Sequence, residues 1–150
     1  MKIVLLPIML AIGACSTISQ TNPDNIVLLS GSIQSIKYER DIVPQNGDVV
    51  VGSWNRVKLD DVKALVGHFG SRAAEVELTM SAIPTQKAYL DKEMYVLLKS
   101  KPNGSFQTLM WAYADSGLCI PSDAAQALLI EDELSHLRRV GKVNWKSDCN

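Results

Sequence analysis

The chain has 150 residues, 47% hydrophobic and 21% charged, with 15 Lys and Arg against 16 Asp and Glu for a net charge of -1. That length suits one domain around one core, and that hydrophobic content excludes an intrinsically disordered chain. A balanced charge with no basic tract leaves no electrostatic footprint for phosphates, so no nucleic-acid partner is expected.

The chain opens with Met1-Lys2, and residues 3–14 form an uncharged apolar run that ends at Cys15 and the polar "STISQTNPDN". About 12 apolar residues are too few to span a hydrocarbon core, which needs about 20, so this run reads as a secretory leader. Within it "IGAC" resembles the bacterial lipobox, in which an aliphatic residue and two small residues precede the cysteine that is lipidated and becomes the new N-terminus. The alternative is an ordinary leader cut elsewhere, for example after Gly13 with Ala11 as the second small residue. The resemblance implies residues 1–14 as signal peptide, Cys15 as the lipidation site, and a membrane partner reached through that anchor. Ser16 rather than Asp after the cysteine points to the outer membrane, facing the periplasm. Residues 15–25 then form the lipidated cysteine and a polar tether, and residues 26–150 the folded domain.

"NIVLLSGSIQSIKYE" reads as a strand, with Ser30 and Gly31 interrupting it as a bulge or sharp bend would. "VPQNGD" carries Asn46-Gly47, which suits the positive-φ positions of a tight turn. A long second strand follows in "VVVGSWNRVKLDDVKALVG", marked by Val49, Val51, Val57, Leu59 and Val62 and broken at Gly52. "AEVELTM" alternates strictly, with Val76, Leu78 and Met80 on one face and Glu75, Glu77 and Thr79 on the other, as a half-buried strand does. "SAIPTQKAYLDKE" is a connection with room for one helical turn. "MYVLLKSKPNGSFQTLMWAYA" is a hairpin: Met94 to Leu98, a turn at Asn103-Gly104, and a strand from Phe106 to about Tyr113.

"ADSGLCIPS" breaks the pattern, and one helix is expected after it. Ser122 is its candidate N-cap, Asp123 lies in its first turn, Arg138 and Arg139 in its last, and Gly141 just beyond. Ala127, Ile130, Leu134 and Leu137 would form one buried stripe, with Glu131, Asp132, Glu133 and His136 mostly on the other faces. Five strand segments before a C-terminal helix predict a mainly β fold, a five-stranded antiparallel OB-like barrel or curled sheet with the helix packed against it.

The stretches "LLSGSIQSIKYE", "VKLDDVKALVGHFGSRAAEVELTM", "EMYVLLKS" and "GLCI" resemble the netrin-like group, a set of OB-fold secreted domains that includes the tissue inhibitors of metalloproteinases. The resemblance spans residues 26–119 and implies a fold; it also places inhibition among the candidate activities. The chain departs from the animal inhibitors in lacking their N-terminal disulfide knot, so their metal-chelating N-terminal cysteine is not carried over to Cys15.

A lipidated Cys15 cannot join a disulfide, which leaves Cys119 and Cys149 as an even pair in a chain sent to an oxidising compartment. A bridge between them would close a loop of about 31 residues, worth about 3 to 4 kcal/mol in the chain-entropy model, and pin the tail to the segment before the helix. The alternative is two free thiols. Neither has a second Cys or His at ligand spacing, so no metal site and no cofactor are expected.

No Gly-x-Ser-x-Gly, His-Glu-x-x-His, phosphate loop or calcium loop occurs, so no catalytic residue is named. His68 reads as an exposed turn residue and His136 as solvated helix surface. Asp60 and Asp61, adjacent in a strand, would point to opposite faces and read as a solvated bend. Leu109, Trp111 and Tyr113 are expected on one face of their strand, with Phe106, Thr108, Met110 and Ala112 on the other. The first face is either covered by the helix as core or left as an aromatic strip for a protein, glycan or peptide. The expected function is a non-catalytic binding module on a cell-envelope lipoprotein, for instance an inhibitor of, or protection against, a hydrolase or toxin. The alternatives are an envelope enzyme assembled from distant residues, with His68 and Asp60 or Asp61 first to test, and a structural part of an envelope complex. Oligomeric state leaves no mark in the sequence.

Overall fold

The structure is a computed structural model and describes residues 25–44, 50–81 and 86–149. The leader, Cys15, the Asn46-Gly47 turn and part of the connection containing Pro84 lie outside the described residues. Five strands form one antiparallel sheet in the order β3-β2-β1-β4-β5: β1 (Ile26–Ile42), β2 (Gly52–Val66), β3 (Ala74–Met80), β4 (Glu93–Ser100) and β5 (Phe106–Tyr113). A single 3-10 turn at Gln86–Ala88 sits in the connection from β3 to β4. The sheet curls without closing into a barrel.

The curl has local causes. The β1–β2 register steps from Ser30↔Lys63 to Ser32↔Asp60, a bulge that holds Asp61 at φ 51 and sharpens the twist of both strands. Asp60 and Asp61, expected at a solvated bend, sit in a bulge inside β2, Asp60 half-buried and Asp61 exposed. Gly31 lies opposite it, and a Cβ there would stand 3.1 Å from the Asp60 carbonyl oxygen and 3.3 Å from Leu59 Cβ. Glycine at that place lets the two backbones approach at the bulge.

β3 alternates as the sequence predicts, with Ala74, Val76, Leu78 and Met80 buried and Glu75, Glu77 and Thr79 exposed. The inner sides of all five strands converge on one apolar cluster that includes Val27, Leu29, Leu59, Leu78, Met94 and Val96. The opposite faces of β1 and β4 are buried as well: Ile26, Leu28, Tyr95 and Leu97 meet a second cluster from the C-terminal segment. This double burial explains the unbroken apolar runs "IVLL" and "MYVLL", which one-sided strands would alternate.

The C-terminal segment departs from the expected single helix. It forms β6 (Leu118–Cys119), α1 (Ser122–Ala127), α2 (Glu131–Arg139) and β7 (Trp145–Lys146), with β6 and β7 paired in parallel. Leu129 at φ 56 separates the two helices, so α2 does not continue the phase of α1. Ala125 is consequently the buried alanine and Ala127 is exposed, while Ile130, Leu134 and Leu137 stay buried. Pro121 holds the cap position and Ser122 is the first helical residue, with no side-chain cap bond. At the far end Gly141, at φ 68, closes α2 as the sequence predicts, its N–H donating to Arg138 O at 3.1 Å. Among the described residues no helix is long and apolar enough to cross a membrane.

Cys119 and Cys149 form a disulfide with Cα atoms 5.6 Å apart. It ties the tail beside β6, where Leu118 N–H donates to Asn144 O at 2.7 Å. Trp145 is buried in the second cluster, and its indole N–H donates to Ile120 O at 3.3 Å. Nothing in its isolated sequence position signals this role. Gly117, at φ 79, lets the chain turn against Asn144, whose Nδ2 would lie 2.7 Å from a Cβ there.

Candidate functional site at the open seam of the sheet

Because each strand is antiparallel to its neighbour, the two edge strands β3 and β5 run in the same direction where the curl brings them face to face. They share no ladder. Instead Trp111 of β5 donates its indole N–H across the seam to Thr79 O of β3 at 3.2 Å. A side chain thus ties the two edges at one end.

A bulge in β5 decides which side chains line that opening. Leu97 pairs with Met110 but Leu98 pairs with Thr108, which makes Leu109 the extra residue. The alternation expected from sequence is corrected accordingly. Leu109 turns with Met110 and Ala112 toward the helices, while Phe106 and Thr108 share the concave face with Trp111 and Tyr113. Trp111 and Tyr113 are not covered by the helices; both are half-buried against the inner cluster.

Around Tyr113 the aromatic groups accumulate. Its ring stacks on Tyr89, with centroids 5.6 Å apart and planes inclined by 19°, and meets the edge of Trp111 at 5.5 Å. Lys92 Nζ stands 5.6 Å from the Tyr89 ring centre and 5.4 Å from that of Tyr113, in range of a cation–π contact with both. Burial, then the neighbouring Tyr89 phenol and the Asp115 carboxylate, push the Tyr113 hydroxyl up to about 12, so it stays neutral and protonated at any physiological pH. Beside it lies a depression of about 250 Å³ lined by Lys92, Glu93, Tyr113, Ala114 and Asp115. Tyr89 and Lys92 belong to a connection in sequence, and no spacing links them to Tyr113.

At the other end the edges part around an open cleft of about 540 Å³, with Glu75 and Glu77 on the β3 side, Phe106 and Thr108 on the β5 side, and Leu98 at its floor. Phe106 is backed by Phe69 from the β2–β3 loop, ring centres 5.6 Å apart. Arg56 stands beside this cleft, 3.5 Å from Glu39 and from Glu75 and 3.7 Å from Glu77. Exposed pairs of this kind contribute little each, so they orient the rim more than they stabilise it. Inside the curl, Asn55 Nδ2 donates to Ser53 Oγ at 2.8 Å, and Asn55 Oδ1 has no partner among the described residues.

The groups weighed for catalysis lie elsewhere. His68 is exposed in the loop after β2, His136 is exposed on α2, and Asp60 is half-buried beside exposed Asp61. Among the described residues no three His, Cys, Asp or Glu side chains gather as a metal site would require. At the shallow depression beside Tyr113 the seam presents flat aromatic surface, the Lys92 ammonium and the carboxylates of Glu93 and Asp115. Compared with family models, curated proteins and solved structures, the chain matches none.

Proposed function

We propose that the protein is a non-catalytic binding module of the bacterial cell envelope, held by a lipid on Cys15, which engages a protein partner at the open seam between β3 and β5. The observation that carries this reading is the half-exposed Tyr89, Trp111 and Tyr113 set at a seam that no strand among the described residues closes. Aromatic rings with a polar rim supply large contact area at low entropic cost, as binding surfaces commonly do. The strand order, with its third and fifth strands facing one another, supports the OB-like and netrin-like reading, in which the sheet is a scaffold for recognition. Inhibition of, or protection against, a hydrolase or toxin is the form of binding that the netrin-like resemblance favours.

The test uses the full chain made in a Gram-negative host. Intact mass should show a diacyl or triacyl chain beginning at Cys15. A photo-crosslinking residue at exposed Ser116, next to the depression, should give a defined protein adduct that the same residue at exposed Lys142 does not. Adducts equal at both positions, or absent from Ser116, would remove the seam as the binding site.

A further inference from the structure

Lys92 places its ammonium over two stacked tyrosine rings although two carboxylates stand beside it. Glu93 and Asp115 line the same depression, and among the described residues neither forms an ion pair with Lys92. The rings offer a negative face, the depression offers space, and the carboxylates offer negative charge with no cation paired to them among the described residues. All three features suit one kind of visitor.

We infer that the Tyr89–Tyr113 pair is a seat for the protonated side chain of a lysine on a partner protein, occupied by Lys92 in the free protein. This rests on the reading of the seam as a protein-binding surface and names the group it recognises. Lys92 is an exposed side chain on a flexible four-carbon stem, so its departure to solvent costs little beyond the two ring contacts it gives up. The incoming ammonium takes over those contacts and gains Glu93 and Asp115 at the rim. The Tyr113 phenol, protonated to about 12, keeps the ring neutral and its face available. A built-in occupant lowers the apparent affinity by the fraction of time the seat is filled.

Removing the occupant and removing the seat should therefore have opposite effects. The aromatic proton resonances of Tyr89 and Tyr113 in the full-length protein would be followed at constant ionic strength. The probes are n-butylammonium and blocked tripeptides Gly-Lys-Gly, Gly-Arg-Gly and Gly-Gln-Gly. The lysine peptide should bind, and Lys92→Met, which keeps the stem and loses the charge, should tighten it by about 2- to 5-fold. Lys92→Arg should not tighten it, and Tyr113→Leu should weaken it by about 3- to 10-fold.

Weaker or unchanged binding in Lys92→Met overturns the proposal. So does a glutamine peptide that binds as the lysine peptide does, since charge is then irrelevant. An arginine peptide of equal affinity overturns the assignment to lysine, and binding of butylammonium without the lysine peptide overturns a protein-borne source. If the peptides fail while the Ser116 crosslink still forms, the seam remains a binding surface and the ammonium seat is discarded. If both fail, the binding reading falls with it.

Discussion

Removing the disulfide by Cys119→Ala/Cys149→Ala tests whether the staple holds the C-terminal segment mainly through the unfolded chain. The two cysteines are 30 residues apart, and the closed loop contains α1, α2 and β7. Loop closure of that length corresponds to about 3.7 kcal/mol in the chain-entropy model. In the folded state the segment keeps its other ties: Trp145 to Ile120 O, Leu118 to Asn144 O, and the buried Ile120, Ile130, Leu134 and Leu137. The variant should thus remain folded and lose about 3 kcal/mol, a large part of the 5 to 15 kcal/mol of a typical domain. Urea unfolding followed by Trp fluorescence reads this directly, with a midpoint lowered by about 2 M for a slope near 1.5 kcal/mol/M. A loss below about 1 kcal/mol with an unchanged slope would refute the reasoning, because the tail would then be held by its contacts alone. Reductant acting on the unaltered protein should reproduce the shift, since Cys149 is exposed.

Leu134→Ala, at a fully buried position between α2 and the sheet, should cost about 2 to 5 kcal/mol in the same assay through the cavity it leaves. Trp111→Phe keeps an aromatic ring but removes the indole donor to Thr79 O, and should cost about 0.5 to 1.5 kcal/mol with faster amide exchange along the seam ends of β3 and β5. Gly117→Ala should destabilise by about 1 to 3 kcal/mol, read from thermal unfolding, because φ 79 and the Asn144 contact both oppose a side chain. Tyr113 holds its proton in the folded state up to about 12, whereas an unfolded tyrosine loses it near about 10, so the folded form binds more protons between those values. Its contribution should be full below pH about 10 and lost as pH rises through about 12. Absorbance at the phenolate band should show a late-titrating tyrosine that disappears in Tyr113→Phe.

Much of the strand layout is legible in the sequence, because local signals that survive in any tertiary setting carry it. β3 shows the alternation of a sheet with one wet face, and Asn103-Gly104 marks the β4–β5 turn, where Gly104 takes φ 78. The Cys119–Cys149 pair is expected from parity and from the reading of the apolar run as a leader, neither of which needs coordinates, and the structure bears it out. The candidate site is far less legible. Trp111 and Tyr113 stand out as aromatics on a strand, but their partners Tyr89 and Lys92 come from a connection whose path depends on how β3 and β4 are placed.

By itself, then, the sequence determined a mainly β chain with five principal strands, its central hairpin, its C-terminal helical segment and its one bridge among the described residues, because periodicity, turn chemistry and cysteine count act over short range. Only the tertiary structure decided which face each side chain joins. One extra residue at Leu109 inverts the alternation of β5, and one left-handed residue at Leu129 divides the helix and turns Ala127 outward. Shifts of this kind change no local pattern that composition or spacing records, yet a single residue of phase moves a side chain from one face to the other. The seam itself belongs to neither β3 nor β5 alone. It exists because bulges and Gly31 curl the sheet far enough to bring its two edges together without letting them pair.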